Sequence, residues 1–185
     1  MKRNDIVEAV ITDISFPNKG KGLVLDTPIT IKNTLPGQKV LARITKKRDG
    51  ALEGELREVL SPSPLETEKG CFHCDICGGC SYQHINYENE NELKKNMVLK
   101  ILKNAGIDDF EFEGLVPAPS ESAYRNKCEF SFGDSEKDGD LALGMRKRGS
   151  FYEVVTLKDC NIVDNDFLKI IDGTLRFFTE RGTKF

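Results

Sequence analysis

Cys71-Phe-His-Cys-Asp-Ile-Cys-Gly-Gly-Cys80 holds four of the six cysteines of the chain, each three residues from the next. Thiolates this close repel one another unless a cation holds them. A disulfide framework is disfavoured. The chain opens Met1-Lys-Arg-Asn-Asp with no apolar stretch of a secretory leader behind it, and disulfides belong to oxidising compartments and small domains without a core. Structural zinc sites separate two Cys-x-x-Cys knuckles by about a dozen residues or more, whereas these knuckles are nearly fused. A Cys-x-x-Cys-x-x-Cys run with one further cysteine elsewhere is how a four-iron cluster is commonly held. Gly78 and Gly79 suit it, because a backbone without Cβ can turn tightly and aim N–H groups at sulfur. The spacing thus favours iron–sulfur over zinc, and both over cysteines that merely pack. Cys160, ending Thr156-Leu-Lys-Asp-Cys160, is the natural distant ligand. Five candidates then compete for four positions.

Composition bounds the rest. A length of 185 residues predicts one or two domains, and 38% hydrophobic with 31% charged residues describes a soluble chain. No apolar run approaches the ~20 residues that span a bilayer, so no membrane partner is expected. A net charge of −3 carries no overall nucleic-acid signature, although local patches decide contacts. Cysteines without a leader predict a reducing, cytoplasmic setting.

In chain order, residues 1–60 predict an all-β module. Asp5 to Ile14 is rich in Ile and Val, Phe16 to Gly22 reads as a loop, and short strands follow at Leu23–Asp26 and Ile29–Lys32. Val40, Ala42 and Ile44 share one face of the next strand. Leu52, Gly54 and Leu56 do so in the one after, with Gly54 marking a bulge or close approach. About five short strands predict a small OB-type barrel. Its loops carry Lys19, Lys21 and the run Lys46, Lys47, Arg48, which suit either solvated tips or an RNA backbone.

Residues 61–70, with Pro62 and Pro64, predict an extended linker. Residues 71–106 combine the cysteine run with a helix capped by Asn86, striped by Leu93, Met97, Val98, Ile101, Leu102 and Ala105, and ended by Gly106. Residues 107–185 predict an antiparallel meander: Asn126–Phe132, Leu141–Met145 and Phe151–Leu157, with a basic turn at Arg146, Lys147 and Arg148. Cys128 shares a face with Phe130 and Phe132 and reads as core. A last helix runs from Asp164 to Glu180.

Several of these features together resemble the 23S rRNA uracil-C5 methyltransferases. They are Cys71-x5-Cys77-Gly-Gly-Cys80 with Gln83-His84, then Tyr124-Arg-Asn-Lys127 and Glu129-Phe-Ser-Phe132, then Gly144-Met-Arg146 and Lys158-Asp-Cys160. Gly20-x-Gly22 and Leu35-Pro-Gly37 resemble the TRAM domain of that family, an OB-like barrel. The resemblance implies a mainly β chain with α elements, built as a TRAM barrel, an iron–sulfur segment with a helix, and an α+β meander domain. It implies a [4Fe-4S] cluster on Cys71, Cys77, Cys80 and Cys160, with Cys74 outside the ligand set. Its partner would be RNA, 23S rRNA, met as a monomer through Lys46, Lys47, Arg48, Arg125, Lys127, Arg146, Lys147 and Arg148. The family's Rossmann-like domain binds S-adenosylmethionine and supplies the catalytic cysteine. No Gly-rich strand-to-helix turn of that kind stands in these residues, so they read as the RNA-facing front of such an enzyme. A stand-alone iron–sulfur redox or sensor protein, and a zinc-binding RNA adaptor, are the alternatives.

Overall fold

In the computed structural model, which describes residues 1–68 and 70–185, five strands come first: β1 (Ile6–Ser15), β2 (Lys19–Val24), β3 (Thr27–Lys32), β4 (Lys39–Arg48) and β5 (Ala51–Ser61). They close a barrel in the order β1-β2-β3-β5-β4, and β4 pairs back onto β1. Every pairing is antiparallel except that of β3 with β5. This is the OB-like arrangement that residues 1–60 predict. Alternation produces it: Ala9, Ile11, Ile29, Ile31, Val40, Ala42, Ile44 and Leu52 point inward and form one core. Gly54 is the close approach. A Cβ there would stand 3.1 Å from Ile29 Cδ1 and 3.2 Å from Ala42 Cβ. The β4–β5 register also shifts between Ile44 and Lys46, opposite it.

Two expectations need correction. The predicted loop Phe16–Gly22 is a turn only over Phe16–Asn18, and β2 already begins at Lys19. Its glycines misled the composition reading. Both sit in the strand because neighbours press on them: a Cβ at Gly20 would collide with Thr34 Oγ1, and one at Gly22 with the Val10 carbonyl. The predicted linker is in part barrel and in part bound to it. β5 runs to Ser61. Ser63 is buried, with Oγ donating to the Pro36 carbonyl at 2.5 Å. Glu66 Oε1 accepts from Ser63 N–H at 2.8 Å and from Gln38 Nε2 at 2.6 Å. Lys69, also within the predicted linker, lies outside the described residues.

Helix α1 (Tyr87–Asn104) begins as its sequence predicts, with Asn86 Oδ1 accepting from Asn89 N–H at 2.8 Å. It ends before Gly106, at φ +73°. Met97 is buried, whereas Val98 and Ile101 of the stripe are half exposed. Three helix lysines off the stripe are ion-paired: Lys94 with Glu90, Lys95 with Glu92, and Lys100 with Asp13 of β1.

The chain divides into two compact units. One comprises residues 1–67 and 85–116, the other residues 68–84 and 117–185. The helix thus groups with the barrel and the cysteine run with the meander, whereas the sequence reading joined run and helix in residues 71–106.

In the second unit β6 (Ser131–Asp134), β7 (Leu141–Arg146) and β8 (Val154–Thr156) form an antiparallel sheet in that order. The strand expected over Asn126–Phe132 starts only at Ser131. Upstream, the backbone pairs elsewhere: Ala123 N–H donates to Asn161 O at 2.8 Å and Arg125 N–H to Ile162 O at 3.0 Å. Helix α2 (Asn165–Thr179) is capped by Asp164 and packs Ile171, Leu168 and Leu175 against Leu143 and Leu157. Among the described residues no helix is long and apolar enough to cross a membrane.

Ile44 is fully buried in the barrel. Ile44→Ala should lower the stability of that unit by about 2–5 kcal/mol. A urea titration followed by far-ultraviolet circular dichroism, paired with amide exchange of the β4 strand, measures it.

Candidate metal centre

Residues 71–80 run as successive turns: Cys74 N–H donates to Cys71 O at 3.3 Å and Cys77 N–H to His73 O at 2.8 Å. The run then docks edge-on against the β7–β8 turn. Gly78 N–H donates to Arg146 O at 2.9 Å, and Arg148 N–H to Ile76 O at 2.7 Å. Cys77 and Lys147 form the bridge between them. A side chain at Gly78 would crowd this contact, since a Cβ would stand 3.0 Å from the Arg146 carbonyl oxygen.

Arg148 completes the clamp. Its Nη2 lies 3.2 Å from Cys74 O, 3.2 Å from Cys77 O and 2.7 Å from Cys80 O. A guanidinium suits the task because its donors are fixed in a plane and its charge is permanent. These bonds are charge-assisted and partly buried, so each is stronger than a neutral hydrogen bond at the surface.

Against the clamp the thiols gather. Cys71, Cys77, Cys80 and Cys160 line one cavity of about 400 Å³, counting the open space at its mouth, and Cys74 lines it with them. Cys128, Met145, Leu157 and Ile162 add apolar or soft surface to it. Cys160 arrives because β8 returns the chain to the run: Lys158 N–H donates to His73 Nε2 at 3.3 Å. Asn161 Nδ2 reaches Gly70 O at 3.1 Å and Gln83 Oε1 at 3.0 Å. No disulfide joins any of the six cysteines.

Burial pushes the Cys80 thiol up to about 11, helped by the neighbouring Cys160, Cys77 and Cys71, while the Arg125 guanidinium works against it. Burial likewise raises Cys71, opposed by a hydrogen bond from the His73 backbone N–H. Protons therefore hold these sulfurs neutral, and a bound cation is what would make them thiolates.

The residues fit an iron–sulfur cluster. All four donors are sulfur, and backbone N–H groups already address two of them: Gly79 N–H lies 3.3 Å from Cys77 Sγ, and His73 N–H reaches Cys71. A Cβ at Gly79 would crowd Met145 Cε, at 3.1 Å, more than that sulfur, at 3.4 Å. His73 is 4% exposed and its Nδ1 has no partner, a buried polar atom among the residues lining the cavity. A single tetrahedral zinc with Zn–S of about 2.3 Å would draw sulfurs to about 3.8 Å apart. Among the described residues, only Cys74, Asp75 and His84 form a set of three or more ligand atoms within 4.8 Å of one another. No three of the four cavity thiols come so close, which suits a larger inorganic core.

Cys74, in the wall of the same cavity, has two further neighbours. Its Sγ lies 3.9 Å from His84 Nδ1 and 3.9 Å from Asp75 Oδ1. Cys128, read as core, is half-buried at the cavity, with Sγ 3.9 Å from Met145 Sδ.

The basic residues predicted for RNA fall in different places. Lys46, Lys47 and Arg48 are exposed at the end of β4, with Lys46 3.5 Å from Glu53 and Arg48 3.1 Å from Asp49. Lys127 is exposed beside Glu129. Arg125 is half-buried and close enough to Cys80 and Cys128 to influence both thiols. Lys147 pairs with Glu153 at 2.7 Å. Arg146 donates to Phe151 O at 2.6 Å and lies 4.6 Å above the Phe151 ring. Composition did not single out three residues here: Arg148 as a clamp, and the exposed rings of Phe151 and Tyr152, 5.2 Å apart. Adjacent aromatics directly after a basic turn were the available signal.

No protein-family model matches the chain. It is 40% identical over 185 residues to an uncharacterized RNA methyltransferase of Caldanaerobacter subterraneus, matching all of this chain and 41% of that protein. It is 39% identical over 181 residues to one of Clostridium acetobutylicum, covering 98% of this chain and 40% of that protein. A Nostoc relative of the same description is 30% identical over 163 residues, covering 88% and 35%. The similarity to these relatives runs over nearly the whole chain, which spans about two fifths of the length of the first two. In fold it is similar to the Pyrococcus abyssi tRNA (uracil-54, C5)-methyltransferase, solved with S-adenosyl-L-homocysteine, at TM-score 0.66 and 22% identity over 95% of this chain and 37% of that one.

Replacing Arg148 tests the clamp. Arg148→Ala should speed amide exchange in residues 71–80 by roughly tenfold or more, the scale of losing a charged hydrogen bond. Arg148→Lys should restore only part of the protection. Exchange mass spectrometry of the 71–80 peptide reads both.

Proposed function

We propose that this chain is the RNA-reading part of an S-adenosylmethionine-dependent uracil-C5 RNA methyltransferase acting on 23S rRNA in the cytoplasm, and that Cys71, Cys77, Cys80 and Cys160 hold a structural [4Fe-4S] cluster. One observation carries it: Cys160, some eighty residues downstream, lines a single cavity with Cys71, Cys77 and Cys80 in a chain similar throughout to RNA methyltransferases. When bound, the cluster would supply a rigid covalent cross-link between the run and the end of the sheet. The rest of the work belongs to the chain itself. The β7–β8 turn fixes the run, Gly79 and His73 direct N–H groups at sulfur, and Leu157 and Ile162 limit water at the cavity.

The barrel would meet RNA backbone through Lys46, Lys47 and Arg48; the partners of Lys46 and Arg48 are exposed side chains that a phosphate can displace. Lys127 is similarly placed. On the β7–β8 hairpin, Arg146 with Phe151 and Tyr152 offers charge beside two exposed rings, the combination that stacks unpaired bases. Lys147 could exchange its partner Glu153 for phosphate. Arg125 and Arg148 are assigned instead to the thiol site, Arg125 by its influence on Cys80 and Arg148 by its three carbonyls. Binding of the methyl donor, and the attack on uracil that makes C5 nucleophilic, are assigned to the part of the relatives' length that these residues do not span.

A filter-binding titration with a 23S rRNA hairpin across salt tests this. Affinity should fall steeply as salt rises. Changing Lys46, Lys47 and Arg48 to Glu should reduce the slope of log affinity against log salt by about two to three. Affinity indifferent to salt, or a slope unmoved by that triple change, contradicts the proposal.

A further inference from the structure

The ligand set Cys71, Cys77, Cys80 and Cys160 leaves one buried cysteine of the same cavity unexplained. Cys74 is 3% exposed, sits in the middle of the run, and directs its sulfur at two other potential ligands. We propose that Cys74, Asp75 and His84 form a second metal site for one zinc-class divalent cation, adjoining the thiol cavity, whose wall includes Cys74 but neither Asp75 nor His84. The proposal rests on the reading above only in leaving Cys71, Cys77, Cys80 and Cys160 to the other group.

The donor atoms lie within 4.8 Å of one another. A tetrahedral zinc with Zn–S of about 2.3 Å and Zn–N or Zn–O of about 2.0–2.2 Å sets sulfur about 3.5–3.7 Å from the other ligands. The observed 3.9 Å from Cys74 Sγ to both His84 Nδ1 and Asp75 Oδ1 needs a contraction of only a few tenths of an ångström. One thiol, one imidazole and one carboxylate select a borderline transition ion over magnesium or calcium, which take oxygen alone. Exposure completes the coordination. Asp75 is exposed and His84 half-buried, so water can enter as a fourth ligand. Binding displaces the thiol proton of Cys74, which leaves to solvent as sulfur bonds to the ion.

The backbone already holds the two arms. Cys74 is fixed by its N–H to Cys71 O, at 3.3 Å, and by Arg148 on its carbonyl. His84 follows Gln83, whose carbonyl accepts from Gly70 N–H at 3.0 Å and whose Oε1 accepts from Asn161 at 3.0 Å. A site with both arms tethered loses little chain entropy on taking its ion. The spare cysteine of the run thereby acquires a role that does not compete with Cys71.

The test counts metals on the full chain. Anaerobically reconstituted protein is equilibrated with zinc, desalted, and measured for zinc and iron together. One zinc per chain is expected beside the cluster iron. Cys74→Ser and His84→Ala should each lose that zinc and keep the iron. Asp75→Ala, a change at an exposed position that leaves the core untouched, should weaken zinc retention without altering iron. Loaded protein that takes up no zinc overturns the site. So does zinc that survives both His84→Ala and Asp75→Ala, or a Cys74→Ser chain that loses iron, which would make Cys74 a cluster ligand. The two readings fail separately. A chain without iron whose zinc still depends on His84 and Asp75 removes the cluster and leaves this site standing.

Discussion

Backbone pairing between the cysteine run and the β7–β8 turn is the constraint on which the thiol site depends. Gly78 and Arg148 each give an N–H across this edge, and the Arg148 guanidinium gathers three carbonyls of the run from the side. Residues 71–80 contain no helix or strand of their own. Their shape is borrowed from the sheet beside them. Remove the edge contact and the run has only its own turns to hold four sulfurs that repel once ionised. The clamp therefore acts before any metal does, by setting where the thiols stand while they are still protonated.

The second unit meets the usual cost of gathering like groups in two ways. Burial keeps Cys71 and Cys80 protonated, so the metal-free chain is spared the repulsion. N–H groups from His73 and Gly79 stand ready at the sulfurs, so ionisation on binding meets preformed donors. The cysteines thus fall into two groups by chemistry. Cys71, Cys77, Cys80 and Cys160 line a shared cavity. Cys74, buried in the wall of that cavity, also has an imidazole and a carboxylate within reach of its sulfur.

Much of this was legible in the residues. The barrel followed from alternation, because Val40, Ala42 and Ile44 can face one way only in a strand. Asn86 and Asp164 announced their helices by a capping chemistry that acts within three residues. Cys160 was legible as the distant thiol. Errors arose where tertiary contact overrode local composition. Gly20 and Gly22 look like a loop until Thr34 and the Val10 backbone press on them. Pro62 and Pro64 look like a linker until Ser63 finds the Pro36 carbonyl. Residues 126–130 alternate like a strand, yet the chain just upstream pairs with residues 161–163. Arg148 could not be told from its basic neighbours by type, because its role depends on three carbonyls some seventy residues away in sequence.

The account stands on one cluster held by Cys71, Cys77, Cys80 and Cys160. Iron and acid-labile sulfide per chain, counted after anaerobic reconstitution of the unaltered protein and of Cys160→Ser, test it most directly. The account predicts a brown protein with about four of each per chain, and a Cys160→Ser chain that holds little of either. A colourless protein carrying zinc in the four-thiol cavity, or a Cys160→Ser chain with its full complement of iron and sulfide, would contradict it.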